Sequence, residues 1–442
     1  MQFHPHTRLW SAAVLALAGC ADAAAARRYD TLHAAAARAE HDEAGAATLD
    51  DGGLIVDGAL DRAAVVAAVL ARNPDLEAAR ATWRAAVAGY RSSVALEDPM
   101  ARYALAPFSL GSSAPFGQQI EISQKLPWPG KRALRGDAAL ADAEAMQADY
   151  ASLRLDLAEA AVQAFDDDYV AVRALEINRH HRELLGRIES SALAQYSTGH
   201  GSQQDPLEAR TRIIELERER LTLEKQRRVA VAMLDRLLRR RGDRELPPPP
   251  ARLAAVGPVE AAPAAAHPRQ LAAAARARAR RADVDAASLA FYPDIEVMGS
   301  YDSMWDTWQH RWMIGIAIEI PLQRGKREAD RERAQAERAR AAAELVSVAA
   351  VLDEGRERVR REIEDSTKAL ELYEQQLLPT TRQRVDAALA GFTAGQNPFS
   401  TALMAEHELR DVELAIERTR ADLDRQLAAL ARLDGRIPGG TP

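Results

Sequence analysis

The chain has 442 residues, a formal net charge of −7, 28% charged side chains and only 5% aromatic ones. So few aromatics exclude an ordinary large globular core, and the abundance of Ala, Arg, Leu and Glu points to long helical assemblies. Lys and Arg are interleaved with Asp and Glu instead of gathering on one face, which excludes a nucleic-acid-binding surface.

The amino terminus reads as an export signal over 1–19. Arg8 supplies a thin basic region, and 9–18 is apolar but too short to span a bilayer as a helix. Leu17-Ala18-Gly19-Cys20 matches the bacterial lipobox, in which small residues precede a lipidated cysteine, so Cys20 is expected to open the mature chain and carry lipid. The alternative is a plain signal peptide cut within the run from Ala23 to Ala26. Cys20 is the single cysteine, so no intrachain disulfide can form. Asp22 does not directly follow Cys20, so no inner-membrane retention signal is evident. The mature chain is exported, and no later stretch reads as a transmembrane helix. Residues 20–57, rich in Ala, Asp and Gly, read as a loosely ordered lead-in.

A first structural repeat then runs over 58–250. A helix is expected over 60–96, kinked at Asn73-Pro74 because the residue before proline disfavours helical backbone. Asp98-Pro99 breaks it, and the period changes to two. Ile120, Ile122, Leu126 and Trp128 share one face with Gln124, while Gln119, Glu121, Ser123 and Lys125 share the other. This is the second strand of a hairpin over 100–127, turning at Gly111-Ser112-Ser113. A long helix follows over 131–196. From 133 to 196 no proline occurs, and such a helix would span roughly 95 Å at 1.5 Å per residue. Its residues Met146, Tyr150, Leu153, Leu157, Ala160 and Ala164 are spaced as a coiled-coil seam. A tip at 197–205 leads to a return helix over 206–241, whose Leu216, Leu223, Ala230 and Leu237 recur every heptad. Pro247 to Pro250 form a stiff linker.

The second repeat covers 251–435, with a tail at 436–442. A short helix over 270–289 leads to a hairpin over 293–322. There Ile295, Val297 and Tyr301, then Ile314, Ile316, Ile318, Ile320 and Leu322, alternate with small or polar residues. A long helix over 326–392, a tip at 393–400 and a return helix over 401–433 complete it. The return helix carries Leu409, Val412, Ile416, Leu423 and Leu430 on one stripe. The chain is thus an internal duplication at an offset of about 195 residues. Asn73-Pro74 answers to His267-Pro268, Ile120-Glu121-Ile122 to Ile318-Glu319-Ile320, Gly130-Lys131-Arg132 to Gly325-Lys326-Arg327, and Tyr196-Ser197-Thr198-Gly199 to Phe392-Thr393-Ala394-Gly395.

Four strands with one apolar face, on an exported chain with Trp128, Trp305, Trp308 and Trp312 at or beside them, fit a membrane barrel with an aromatic belt. An open four-stranded sheet cannot sit in lipid, because its edges leave backbone groups unsatisfied. Closure needs other copies: two give about eight strands and three about twelve. Glu121, Glu296, Asp302 and Glu319 lie opposite the apolar faces, so they are expected to point into the pore, where rings of carboxylates favour cations; the alternative is that they are merely solvated and set no selectivity.

The duplication, the hairpins and the paired Tyr/Phe-x-x-Gly turns resemble the TolC-like outer-membrane factor family, the exit ducts of tripartite efflux pumps and type I secretion systems. The resemblance runs from about residue 57 to 433. The lipobox and the segment Leu126-Pro127-Trp128-Pro129-Gly130-Lys131 look most like the branch serving heavy-metal or cation efflux. The resemblance implies a mainly α fold with a small β part: a homotrimer of long antiparallel coiled-coil helices forming a periplasmic α-barrel, and a transmembrane β-barrel of about twelve strands. It implies an outer-membrane location with a periplasmic extension, and contact with outer-membrane lipid. It implies as partners a periplasmic adaptor (a membrane fusion protein) and an inner-membrane RND transporter, with heavy-metal cations as substrate. It places adaptor contact at the tips, at Tyr196, Gly199, Leu207, Phe392, Gly395 and Leu403. Family members often carry carboxylates six and nine residues after the turn glycine as a gate. The first repeat has Asp205 and Glu208 there; the second has Thr401 and Met404, with Glu406 nearby. Asp205 reads equally well as a helix N-cap before Pro206.

No sequence pattern indicates an enzyme, a cofactor or a metal site. Gly130-Lys131-Arg132 lacks the glycine and the Ser/Thr of a phosphate loop. Adjacent His180 and His181 cannot aim at one ion from a helix and read as solvated. Asp166-Asp167-Asp168 reads as an exposed acidic run, with a tunnel lining as the alternative. Within the duct class, drug efflux or protein secretion is the alternative to metal efflux. From another class, a periplasmic coiled-coil scaffold or adaptor without a pore is the rival.

Overall fold

The computed structural model describes residues 23–46, 51–56, 58–106, 116–242, 246–253, 266–305 and 307–438. Cys20, the expected signal peptide and the expected turn at 111–113 lie outside the described residues. In chain order the elements are α1 (Ala23–Ala46), a short ribbon of β1 (Ile55–Val56) and β2 (Ala59–Leu60), α2 (Arg62–Arg72), α3 (Pro74–Val94), β3 (Met100–Ala106), β4 (Gly117–Leu126), α4 (Lys131–Ser197), α5 (Gln204–Leu237), α6 (Pro268–Leu289), β5 (Asp294–Asp302), β6 (Trp312–Glu319), α7 (Arg324–Leu372), a π-helical turn (Tyr373–Leu377), α8 (Leu378–Thr393) and α9 (Phe399–Leu433). The fold is mainly helical with a small sheet part, and none of the described helices is long and apolar enough to cross a membrane.

The chain divides into two compact units, and α4 contributes residues to each. The first unit comprises 1–39, 79–150 and 269–349. Its centre is a four-stranded antiparallel sheet in the order β3-β4-β5-β6, so the two hairpins join through the β4–β5 pairing. Helical packing in this unit corrects the expectation of a loosely ordered lead-in. Residues 23–46 form α1, because Tyr29, Leu32 and Ala36 recur at helical spacing and are buried. Tyr29 stacks on Tyr90 with ring centroids 5.2 Å apart, and Arg28 bonds Glu144 at 2.9 Å.

The repeated Gly-Lys-Arg motif has a structural purpose. Arg132 donates to the Val94 carbonyl at 2.6 and 2.9 Å, and Arg327 donates to the Ala290 carbonyl at 2.8 Å. Each arginine thus satisfies a carbonyl at the end of the short helix that precedes its hairpin, where no intrahelical donor remains. Lys131 reaches the other hairpin instead, donating to Tyr292 O at 2.9 Å and Asp294 at 2.8 Å.

The second unit comprises 40–78, 151–268 and 350–442. Asn73 breaks α2 from α3 as expected, and its amide donates to the Leu237 carbonyl at the end of α5, 3.3 Å away. His267 does the same for the Arg432 carbonyl at the end of α9, at 3.1 Å. The residue before each helix-opening proline therefore caps the return helix of its own repeat. The seam on α5 is buried at Leu216, Leu223, Ala230 and Leu237. On α9 Leu409, Val412, Ile416 and Leu430 are buried, and Leu423 is half-buried. The single seam expected on α4 is too narrow. Between 161 and 169 only Gln163 and Asp167 are exposed, so this stretch packs on almost every side. The second long helix also departs from a continuous α-helix. Pro379 offers no N–H and crowds the preceding turn, and the π-helical turn at Tyr373–Leu377 accommodates it, with Leu378 N bonded to Tyr373 O.

Candidate functional site

The sheet is built inside out relative to a soluble one. Its pairing aligns Tyr103, Ile120, Tyr301 and Trp312 across the four strands. The next row on the same face is Ala101, Ile122, Gly299 and Ile314. This apolar face is the exposed one: Ile314 is 89% and Ile316 70% exposed, whereas Gly315 and Ala317 on the opposite face are half-buried. Burying a side chain of this size removes roughly 1.5–3 kcal/mol of unfavourable hydration. A patch of ten or so such residues therefore marks a surface made for an apolar environment.

The opposite face holds all four carboxylates expected there. Glu121 aligns with Ser300, Asp302 with Gln119, Glu296 with Lys125, and Glu319 with Asp294. The face is not purely acidic. Lys125 and Glu319 form a 2.8 Å ion pair, made possible by the small Ala317 beside them, and Arg102 lies 3.9 Å from Glu121. Asp302 accepts from the Met304 amide at 2.9 Å, and Glu296 has no ion-pair partner among the described residues.

The two helix-to-helix turns have matching backbones. Gly199 and Gly395 adopt φ of 77° and 68°, and the following amides bond back five residues, His200 to Gln195 O at 2.9 Å and Gln396 to Gly391 O at 2.8 Å. Both are Schellman endings, where a Cβ would be strained. The side chains diverge. Tyr196 is 43% exposed but its counterpart Phe392 only 4%; Leu207 is 57% exposed but Leu403 only 5%. The expectation that all four lie on a contact surface therefore needs correcting. Phe392 and Leu403 belong to a core with Leu185, Ile188, Ala209, Val385 and Phe399, and Phe392 meets Phe399 edge to face. Gln195 donates to the Phe392 carbonyl at 3.1 Å, so the two turns are bonded to each other.

Of the gate residues, Asp205 and Glu208 are half-buried. Asp205 is not the N-cap, because α5 starts at Gln204; it sits in the first turn and accepts weakly from the Ser202 amide at 3.4 Å. Glu406 does not stand at the turn surface at all. It is buried, with His181 Nδ1 2.7 Å away.

His181 and the acidic run are the residues that pattern reading misplaced. His180 is exposed as expected, but His181 is fully buried, as are Asp166 and Asp168. Only Asp167 faces out, paired with Arg425 at 2.7 Å. Burial, with the neighbouring Asp424 adding to it, pushes the Asp166 carboxyl up to about 8, against the pull of Arg62 and Arg425. Burial likewise pushes Asp168 up to about 6, against Arg227 at 3.4 Å. The signal that could have found them was the breadth of the small and apolar residues around them on α4, which leaves only a narrow solvated stripe at Gln163 and Asp167. No group of side chains suited to a metal ion occurs among the described residues.

Residues 264–436 match the family described as outer membrane efflux protein. No curated protein matches the chain. Among solved structures, the outer membrane protein VceC of Vibrio cholerae superposes with a TM-score of 0.72 at 17% identity, covering 84% of this chain and 95% of its own. CusC, whose structure describes transmembrane channel formation, gives 0.73 at 17%, covering 88% and 95%. The outer-membrane channel OprN gives 0.71 at 21%, covering 84% and 89%. At these identities the likeness is one of fold, and it extends over both repeats. It bears out the mainly α fold with a small β part that the resemblance implies.

Proposed function

We propose, from the premise that the second repeat is that of an outer membrane efflux protein, that the chain forms a passive outer-membrane exit duct with a periplasmic extension. The observation that carries this reading is the sheet: apolar outside, charged inside, and open at both edges. Among the described residues β3 and β6 each pair on one side only, so three copies would close a barrel of about twelve strands. The exposed heptad positions Leu207, Ile214 and Leu221 on α5 supply a second seam for a neighbouring copy, on the face opposite the buried Leu216 and Leu223. Energy would come from an inner-membrane RND transporter acting through a periplasmic adaptor. Tyr196 and Leu207 are the exposed side chains offered to that adaptor at the turns, with Gly199 and Gly395 holding the turn backbone. Asp205 and Glu208 are the carboxylates left to form a gate. Cys20 is the proposed lipid anchor, which the mass of the mature amino terminus reports.

Heavy-metal cations are the proposed substrate. The support is the set of carboxylates on the charged face of the sheet, of which Glu296 makes no ion pair among the described residues. The test is reconstitution of the purified protein in planar bilayers. The duct reading expects discrete single-channel conductance with cation preference. Glu296→Gln with Asp302→Asn should lower that preference more than Glu319→Gln, because Glu319 is already neutralised by Lys125. A protein that stays monomeric without detergent and passes no current would favour the poreless scaffold instead.

A further inference from the structure

The buried imidazole of His181 has no part in the duct reading, and its surroundings are unusual. It lies on α4 about 24 Å before the end of that helix, at 1.5 Å rise per residue. Both ring nitrogens face carboxylates of α9: Nδ1 is 2.7 Å from Glu406 and Nε2 is 3.2 Å from Glu413. From α8, Arg382 pairs with Glu413 at 3.1 Å. On its own helix the neighbouring group is the His180 ring, edge-on at 5.7 Å. The α5 acid Glu217 is engaged by Arg182 and Arg220 instead.

An ionised carboxylate only accepts hydrogen bonds, and a neutral imidazole donates only one. Two carboxylates at hydrogen-bond distance from the two nitrogens therefore require the doubly protonated ring. With it, two cations meet two anions and the cluster is neutral. Without the proton, one nitrogen lone pair faces a carboxylate inside the helix packing and a net negative charge is left there.

We propose that His181 is a proton-held latch that fastens α9 to α4 behind the core that joins the turns, and that losing the proton frees the first half of α9. Burial alone would push the His181 pKa down, but the hydrogen bonds and charges of Glu406 and Glu413 outweigh it and raise the value above 6.5. A raised value means the latch contributes fully below the ordinary histidine pKa. Its contribution is lost as pH rises through the raised one. The core directly beside it includes Leu403, Leu409 and Phe392, so release acts on the packing that holds the two turns together. In the duct reading, on which this consequence rests, the resting turn region is tighter in acid than in alkali.

The experiment uses the full chain in detergent, with histidine ring nitrogens labelled for NMR and α9 amide exchange followed from pH 6 to 9. One imidazole should remain doubly protonated above pH 7, and it should disappear from the spectrum in His181→Gln. In Glu413→Gln its midpoint should fall by about one to three pH units. Protection of the amides in the first half of α9, corrected for intrinsic exchange, should fall by up to about tenfold per pH unit more steeply in the parent than in His181→Gln, which keeps only the pH dependence of the Asp166–Asp424 contact. A His181 ring that is neutral at pH 7, or α9 protection with the same pH dependence in both proteins, would overturn the latch. Bilayer current separates the two readings. A titrating latch in a protein without current overturns the duct alone, and current with an α9 pH profile that His181→Gln leaves unchanged overturns the latch alone.

Discussion

Asp166 shows how far a single residue can depart from its pattern. Three consecutive aspartates on a charge-rich helix read as a solvated run, yet two of them are buried and their carboxyl oxygens have no hydrogen-bond partner among the described residues. Burial and Asp424 raise the Asp166 pKa from 3.8 to about 8. A carboxyl raised in this way stabilises the fold fully below its ordinary value, and that contribution is lost as pH climbs through the raised one. Asp166→Asn keeps the shape and removes the charge. Its melting temperature by circular dichroism should exceed that of the parent at pH 9, by the equivalent of about 1–3 kcal/mol, and the difference should vanish toward pH 4. Equal melting at pH 9 would mean that the pair does not hold its proton. The residues legible in the sequence were those whose environment is set locally. Gly199 and Gly395 end helices, and Asn73 precedes a proline. Asp166 and His181 were illegible because their surroundings come from α9, about 225–260 residues away in sequence, and Asp168 because it faces Arg227 of α5.

The elements repeat more faithfully than the side chains do. All four long helices end in the same motif, with a residue in left-handed backbone followed by a bond back to the last turn. The left-handed residue is Gly199, Gly395 and Gly435 in three cases and Arg239 in the fourth, at φ 53°. A non-glycine residue in that conformation costs about 1–2 kcal/mol, partly offset by the unfolded-chain entropy that glycine would add. Arg239→Gly should therefore raise stability by about 0.5–1 kcal/mol, read as a higher denaturation midpoint. The 3.8 Å contact of Arg239 with Glu77 joins two exposed side chains and contributes little against this. A lower midpoint would show that the contact matters more than the backbone. The strands, the break at Asn73 and the return-helix seams follow from period and proline. The π-helical turn does not, because Pro379 predicts a disturbance but not whether the helix breaks or absorbs it. Helix α1 was hidden by its composition: Ala-rich sequence reads as featureless until Tyr90 and Glu144 are seen to cover one side of it.

For the whole molecule the decisive feature is what the single chain leaves unfinished. The sheet ends at β3 and β6 with exposed apolar side chains on the flank of each, Tyr103 and Leu105 on one, Ile314 and Ile316 on the other. A water-soluble protein blunts such edges with charge or covers them, since they template pairing with another chain. Here the apolar face runs to both ends, which fits edges that meet their counterparts in lipid. The most direct measurement of this is disulfide trapping across that junction. Single cysteines at Tyr103 or Leu105 would be combined with single cysteines at Ile314 or Ile316, in a Cys20→Ser background, and oxidised in outer-membrane preparations. Closure by three copies predicts that at least one combination gives a ladder of covalent dimer and trimer that stops at trimer and disappears on reduction. Monomer from every combination, or a ladder that stops at dimer, would contradict it.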